Sequence, residues 1–197
     1  MREYFVKIFG IMLGAVLVAL GYLWFPATPP VKPIDMNAPV TTAFTEQFMA
    51  TSPADGIAPN DPVLFMDGKE QNLRKQISGK WTVLNLWATW CAPCVAELPS
   101  LAALQKHYAG RLNVLALSFD NNTDISKLSK FMTKNKVSGL AFAYDHQLKV
   151  RTAIETNGLP TSLLIDPNGK IILILEGHID WTSDKALAFF DQIVTKS

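Results

Sequence analysis

The sequence predicts an α/β fold, a mixed central sheet flanked by helices, preceded by one membrane-spanning helix. Three observations predict it. From residue 62 to the carboxy terminus, short apolar runs alternate with stretches of helical spacing, the pattern of an α/β sheet. The strand candidates are apolar nearly throughout, as expected when helices cover both sheet faces. Two of them are joined by Pro167-Asn168-Gly169, a hairpin connection, so the sheet is mixed rather than wholly parallel.

The amino end comes first. Ile8 to Phe25 is an 18-residue run without a charge, close to the roughly 20 apolar residues that span a bilayer. Arg2 and Lys7 precede it against one acid, Glu3, which places the following chain outside the cytoplasm. Tyr22 and Trp24 suit an aromatic belt. A cleaved signal peptide is the competing reading, with Ala19-Leu20-Gly21 as the cleavage site. The run exceeds the about 7–15 residues of a signal core, which favours the uncleaved anchor. Residues 1–25 are therefore read as a cytoplasmic stub and transmembrane anchor.

Residues 26–58 are read as an extracytoplasmic linker and 59–197 as the globular domain. Eight of the twelve prolines fall between Pro26 and Pro62, which predicts an extended, semi-rigid segment. Phe44 and Phe48, four apart, predict one short amphipathic turn, free or docked on the domain or membrane.

The domain opens with Pro62–Met66, an Asp67-Gly68 turn and a return strand at Gln71–Leu73, an amino-terminal hairpin. Thr82–Ala88 is a buried strand. Ala92–Tyr108 is a helix, with Leu98, Leu101, Leu104 and Tyr108 at helical spacing. Leu112–Phe119 is a second buried strand and Asp124–Asn135 a polar-faced helix. A strand at Leu140–Tyr144 and a short helix at His146–Ile154 follow. Strands at Thr161–Asp166 and Lys170–Leu175 precede a closing helix at Ser183–Val194, with Ser183 as its cap.

Net charge is +1 and charged residues make up 18 % of the chain. That excludes the basic footprint of a nucleic-acid binder. The only two cysteines, Cys91 and Cys94, stand three apart, too few for a disulfide framework and short of a four-ligand zinc site. A three-residue loop is also a poor staple, because it closes little chain entropy. A dithiol that opens and closes is the simplest use of the pair. Cys91-Ala92-Pro93-Cys94 follows a strand and opens a helix, where unpaired N–H groups and the helix dipole favour a thiolate. Such a cysteine falls from about 8.5 into a pKa range of about 3.5–7.5. Cys91 is then the attacking sulfur and Cys94, one turn on, the resolving one. Pro93 fits the first helical turn, where its missing donor is not needed.

The stretch WATWCAPC resembles the active-site signature of the thioredoxin superfamily. The longer NLWATWCAPCVAELPSL resembles its membrane-anchored ResA/TlpA-type branch. The resemblance covers Pro59 to Ser197 and includes Gly158-Leu159-Pro160-Thr161 and the hairpin LLIDPNGKI. It implies a thioredoxin-like fold with a central helix–strand insertion at about Asp124–Tyr144 and a cis Pro160 facing the dithiol. It further implies substrate contacts at Trp90, Pro93, Leu159, Pro160 and Thr161. Glu97, three residues after Cys94, matches a branch glutamate near the cysteines; burial would raise its pKa and fit it for proton exchange with a sulfur. Asn85 stands where thioredoxins carry a buried aspartate, so no carboxyl titrates there.

The implied activity is thiol–disulfide exchange with extracytoplasmic proteins, as a reductase in cytochrome c or respiratory-complex maturation. It needs no cofactor beyond the Cys91–Cys94 disulfide, no metal, and a membrane thiol donor of electrons. Two alternatives stand beside it, a disulfide oxidant and a copper-handling module. His178 is the candidate third copper ligand, but the two-residue cysteine spacing fits copper chaperones poorly, which favours a surface-loop histidine.

Overall fold

The computed structural model describes residues 33–48, 50–51, 56–154 and 156–194. The anchor candidate, residues 1–25, lies outside them. No helix among the described residues is long and apolar enough to cross a membrane.

The elements in chain order are α1 (Pro39–Gln47), β1 (Pro62–Phe65), β2 (Glu70–Asn72), α2 (Leu73–Ile77), β3 (Trp81–Trp87) and α3 (Ala92–His107). There follow β4 (Leu112–Ser118), α4 (Ile125–Lys134), β5 (Ala141–Tyr144), α5 (Lys149–Ala153), β6 (Thr161–Ile165), β7 (Ile171–Glu176) and α6 (Asp184–Ile193). All seven strands join one sheet in the order β2-β1-β5-β4-β3-β6-β7. β3, β4 and β5 are parallel; β1 and β6 run antiparallel to their neighbours β5 and β3. The sheet is thus mixed, with the predicted hairpins at its two ends.

Every residue of β3 is buried, as its unbroken apolar run requires of a strand covered on both faces. One face packs against α3, α4 and α6 through Leu98, Leu101, Leu128, Phe189 and Phe190. The other packs against α2 and α5 through Leu73, Ile77 and Val150. Helix α2 is an element that the sequence reading lacked. Leu73, assigned to the return strand, instead starts a five-residue helix, and Leu73 and Ile77, four apart, both reach the core. Asp124 caps α4 by accepting from the Lys127 N–H at 2.9 Å, and Ser183 caps α6.

Within the segment expected to be extended between 26 and 58, the short turn predicted at Phe44 and Phe48 is a nine-residue helix, Pro39–Gln47. Pro39 occupies the first turn, where proline is tolerated. Phe44 is fully buried and its ring stacks on Phe189 of α6 at 4.2 Å between centroids. Burying one such ring contributes roughly 2–3 kcal/mol, enough to hold a short helix that would be marginal alone. Thr51 and Gly56 lie beside the outer edge of β7. The Thr51 N–H donates to the Ile174 carbonyl (2.9 Å) and the Ile174 N–H returns the bond (2.8 Å). The Ile171 N–H donates to the Gly56 carbonyl (2.9 Å). These contacts partly cover an edge strand that would otherwise present unpaired backbone groups.

Candidate active site

Four chain segments meet at one end of the sheet, and the register explains why. β3 ends at Trp87 opposite Ser118 of β4, and both strands point the same way. β6 is antiparallel to β3, with Thr161 opposite Leu86, so the residues before β6 emerge where those after β3 do. Glu176 pairs with Thr161, which brings the end of β7 to the same place. The dithiol, Asp120, the Leu159–Pro160 loop and the loop after β7 are therefore neighbours, although 91 and 178 are far apart in sequence.

Cys91 is the N-cap of α3 and is bonded to Cys94, with Cα atoms 5.3 Å apart. Its sulfur accepts from the Cys94 N–H at 3.3 Å. That donor, with the helix dipole behind it, favours negative charge on this sulfur once the disulfide opens. Cys91 keeps 6 % exposure while Cys94 has none, so an incoming partner reaches Cys91. Trp90, just ahead, is 66 % exposed. The turn carrying it is pinned from β4: the Asp120 carboxyl accepts from the Thr89 N–H (3.0 Å) and hydroxyl (2.5 Å) and from the Ser118 hydroxyl (2.7 Å).

The Leu159–Pro160 peptide bond is cis. The loop is held on both sides, with the Thr161 hydroxyl donating to the Gly158 carbonyl (2.7 Å) and the Gly177 N–H to the Pro160 carbonyl (2.9 Å). Pro160 and Thr161 are buried and Leu159 is half-buried. Trp90, Phe119, Arg151, Ile154, Asn157 and Leu159 line a cleft of about 620 Å³ at this end of the molecule.

Behind the dithiol, Glu97 is fully buried. Its Oε1 accepts from the indole N–H of Trp181, while Oε2 has no partner among the described residues. Burial pushes its pKa from 4.5 up to about 8, against smaller opposing pulls from the Trp181 indole and the Ile179 amide. The carboxyl can thus take or release a proton near neutral pH. Asn85, also buried, donates from Nδ2 to the Ser162 hydroxyl (2.9 Å), and its Oδ1 has no partner among the described residues.

The structure therefore gathers Trp90, Cys91, Pro93, Cys94, Glu97, Leu159, Pro160 and Thr161 at one sheet end. His178, read as a surface-loop histidine, is exposed yet places Nδ1 3.3 Å from the Pro93 carbonyl between the two cysteines. Sequence reasoning missed Trp181 and Asp120. A tryptophan within the polar stretch Asp180-Trp181-Thr182-Ser183-Asp184 signals a buried anchor, but no spacing links it to a carboxyl 84 residues away. Among the described residues no cluster of three or more His, Cys, Asp or Glu could hold a metal ion.

A cis proline opposite a Cys-x-x-Cys helix N-terminus, on a mixed sheet of this order, defines a thioredoxin-like dithiol protein. The chain belongs to the AhpC/TSA family, whose model matches residues 57–174. Among its relatives is the thiol-disulfide oxidoreductase ResA of Bacillus thuringiensis (strain Al Hakam), 38 % identical over 120 residues, covering 58 % of this chain and 65 % of that protein. ResA of Bacillus subtilis (strain 168) is 32 % identical over 123 residues, covering 61 % and 65 %. The chain thus aligns to a little under two thirds of either relative's length. Its fold is also that of a thiol:disulfide interchange protein assigned as DsbE from Chlorobium tepidum (TM-score 0.63, 23 % identity), covering 74 % of this chain and 100 % of that one.

Proposed function

We propose that the chain is a membrane-tethered thiol–disulfide oxidoreductase that reduces disulfides of extracytoplasmic proteins during cytochrome c or respiratory-complex maturation. The observation that carries the activity is the placement of Cys91, barely exposed, at a helix N-terminus in the same end of the sheet as a cis proline. The tether rests on the charge-free run Ile8–Phe25 and the direction of electron flow on the resemblance of NLWATWCAPCVAELPSL to the ResA/TlpA-type branch.

In the reduced chain the Cys91 thiolate attacks one sulfur of a substrate disulfide. A mixed disulfide forms, and the other substrate sulfur leaves as a thiolate and takes a proton. Cys94 then loses its proton and attacks the Cys91 sulfur. The Cys91–Cys94 bond closes and the second substrate sulfur leaves. Two electrons have passed to the substrate, and a membrane thiol donor restores the dithiol. Trp90, Pro93, Leu159, Pro160 and Thr161 supply the docking surface, and the backbone of the Leu159–Thr161 loop aligns the substrate strand. Glu97 receives the proton that Cys94 gives up.

The test replaces Cys94 with serine. Cys94→Ser should accumulate a mixed disulfide through Cys91 with protein substrates, visible as a reducible higher-mass species. Cys91→Ser should abolish exchange. Stoichiometric tight copper binding by the wild-type chain, without dithiol exchange, would overturn the proposal. A strongly oxidising reduction potential for the Cys91–Cys94 pair would reverse its direction.

A further inference from the structure

The loop between β7 and α6, residues 177–183, touches the dithiol helix at three levels. His178 Nδ1 lies on the Pro93 carbonyl at 3.3 Å. The Trp181 indole N–H donates to Glu97 Oε1. The Trp181 backbone N–H donates to the Ser100 hydroxyl at 3.4 Å, and that hydroxyl donates to the Glu97 carbonyl at 2.9 Å. Trp181 is itself fully buried and packs on Phe190 of α6. A buried indole with one polar atom has one use for it, and here that use is the carboxyl one turn behind Cys94.

We infer that Trp181 is a positioning residue for the exchange reaction: its indole N–H fixes the Glu97 carboxyl behind the dithiol and sets how readily that carboxyl takes the proton of Cys94. The inference rests on dithiol exchange being the reaction of this site. The groups facing Glu97 leave Trp181 this role. On α3 they are the two cysteines. On the loop the titratable residues are His178 and Asp180, both exposed; the Asp180 pKa is lowered chiefly by the bonds it accepts from the Thr182 hydroxyl and amide, and less by His178. From α6 comes the aromatic wall of Phe190. No charged side chain pairs with Glu97 among the described residues; the Trp181 bond is the main influence opposing burial.

The step balances without another reagent. The Cys94 S–H proton passes to the Glu97 carboxylate as the Cys94 sulfur bonds to Cys91 and the substrate sulfur departs with its electron pair. Burial raises the Glu97 pKa to about 8, which makes it a far better acceptor for a thiol proton than an ordinary carboxylate. Removing the indole donor leaves only the weaker pull of the Ile179 amide against burial. Its proton affinity rises, and less of it is free to act as base at neutral pH.

The experiment compares wild type, Trp181→Phe, Glu97→Gln and the double variant in the full chain, measuring exchange rate against pH. Trp181→Phe should slow exchange about tenfold at neutral pH and move the midpoint of the limb on which the rate rises with pH up by about one unit, the worth of one bond to a charged group. In the Glu97→Gln background it should change the rate less than twofold, because the group it acts through is gone. An unmoved midpoint, or the same slowing in both backgrounds, would overturn the inference. A wild-type measurement guards against misfolding of Trp181→Phe. The indole N–H resonance of Trp181 should titrate with pH in the wild-type chain and stay constant in Glu97→Gln; a pH-invariant wild-type resonance also defeats the inference. That signal is independent of turnover, so loss of the exchange activity itself would sink the functional proposal and leave this coupling separately readable.

Discussion

The region in front of the dithiol and the region behind it each contain a buried carboxyl, and the two are provided for very differently. In front, Asp120 accepts from the Thr89 backbone, the Thr89 hydroxyl and the Ser118 hydroxyl. Behind, Glu97 has the Trp181 indole, a weaker pull from the Ile179 amide, and an oxygen left without a partner among the described residues. A buried carboxyl with several donors is scaffold: it ties the turn before Cys91 to β4 and holds Trp90 at the rim. A buried carboxyl with too few donors is held at a disadvantage as an anion. Unsatisfied buried polar groups are costly and call for an explanation, and a protonatable site beside a thiol is a sufficient one. Satisfaction of hydrogen bonds, rather than burial, separates the two roles.

The largest way to break this comparison is through pH. The Glu97 pKa is raised from 4.5 to about 8 by burial, so between those values the folded chain holds a proton that the unfolded chain has lost. Stability from this group is fully present below about pH 4.5 and is lost as pH rises through about 8. The full span is worth at most about 5 kcal/mol, at about 1.4 kcal/mol per unit. Urea unfolding of the oxidised protein across that range should show the decline in wild type and a flatter profile in Glu97→Gln. The same variant should keep the fold and slow exchange about a hundredfold, the low end of the range for a positioned acid–base group. Unchanged rates would remove Glu97 from the mechanism.

A smaller effect is expected in front. Asp120→Ala leaves the Thr89 N–H without its acceptor at a mostly buried site, and should cost about 2–3 kcal/mol in chemical unfolding. Its pH–stability slope should match wild type, because Glu97 is untouched. If Asp120→Ala flattened the slope as Glu97→Gln does, the division between scaffold and proton site would fail.

Legibility in the sequence followed the same division. The strands and the dithiol helix were readable because β3 and β4 are unbroken apolar runs and α3 carries Leu98, Leu101 and Leu104 at helical spacing. The local part of the site was readable for a related reason, since a four-residue motif at a strand–helix junction fixes its own geometry. Proline at 160 became informative only through resemblance; spacing alone does not distinguish a cis bond from an ordinary turn. Helix α2 was hidden because five residues are too few to show a period. Helix α1 was legible only as a short amphipathic turn at Phe44 and Phe48, because neighbouring prolines argued for extension and the ring that holds it, Phe189, lies 145 residues away from Phe44. The partners of Glu97 and Asp120 were invisible because each joins different elements, and only the strand register brings those elements together.

The smallest expected effect concerns Trp90, which belongs to neither buried region. It is 66 % exposed, so truncating it removes little packing, and Trp90→Ala should shift stability by no more than about 0.5 kcal/mol. Its ring lines the cleft that Leu159 and Ile154 close on the other side, so the loss should appear in recognition. An exposed aromatic wall contributes contact area to a protein substrate and almost none to a small thiol reagent. Exchange with a protein disulfide should therefore fall a few-fold, through KM, while reaction with a small disulfide stays near wild type. Equal slowing with both would place Trp90 in the chemistry of the sulfurs instead, and the rim of the site would then belong with the buried machinery behind it.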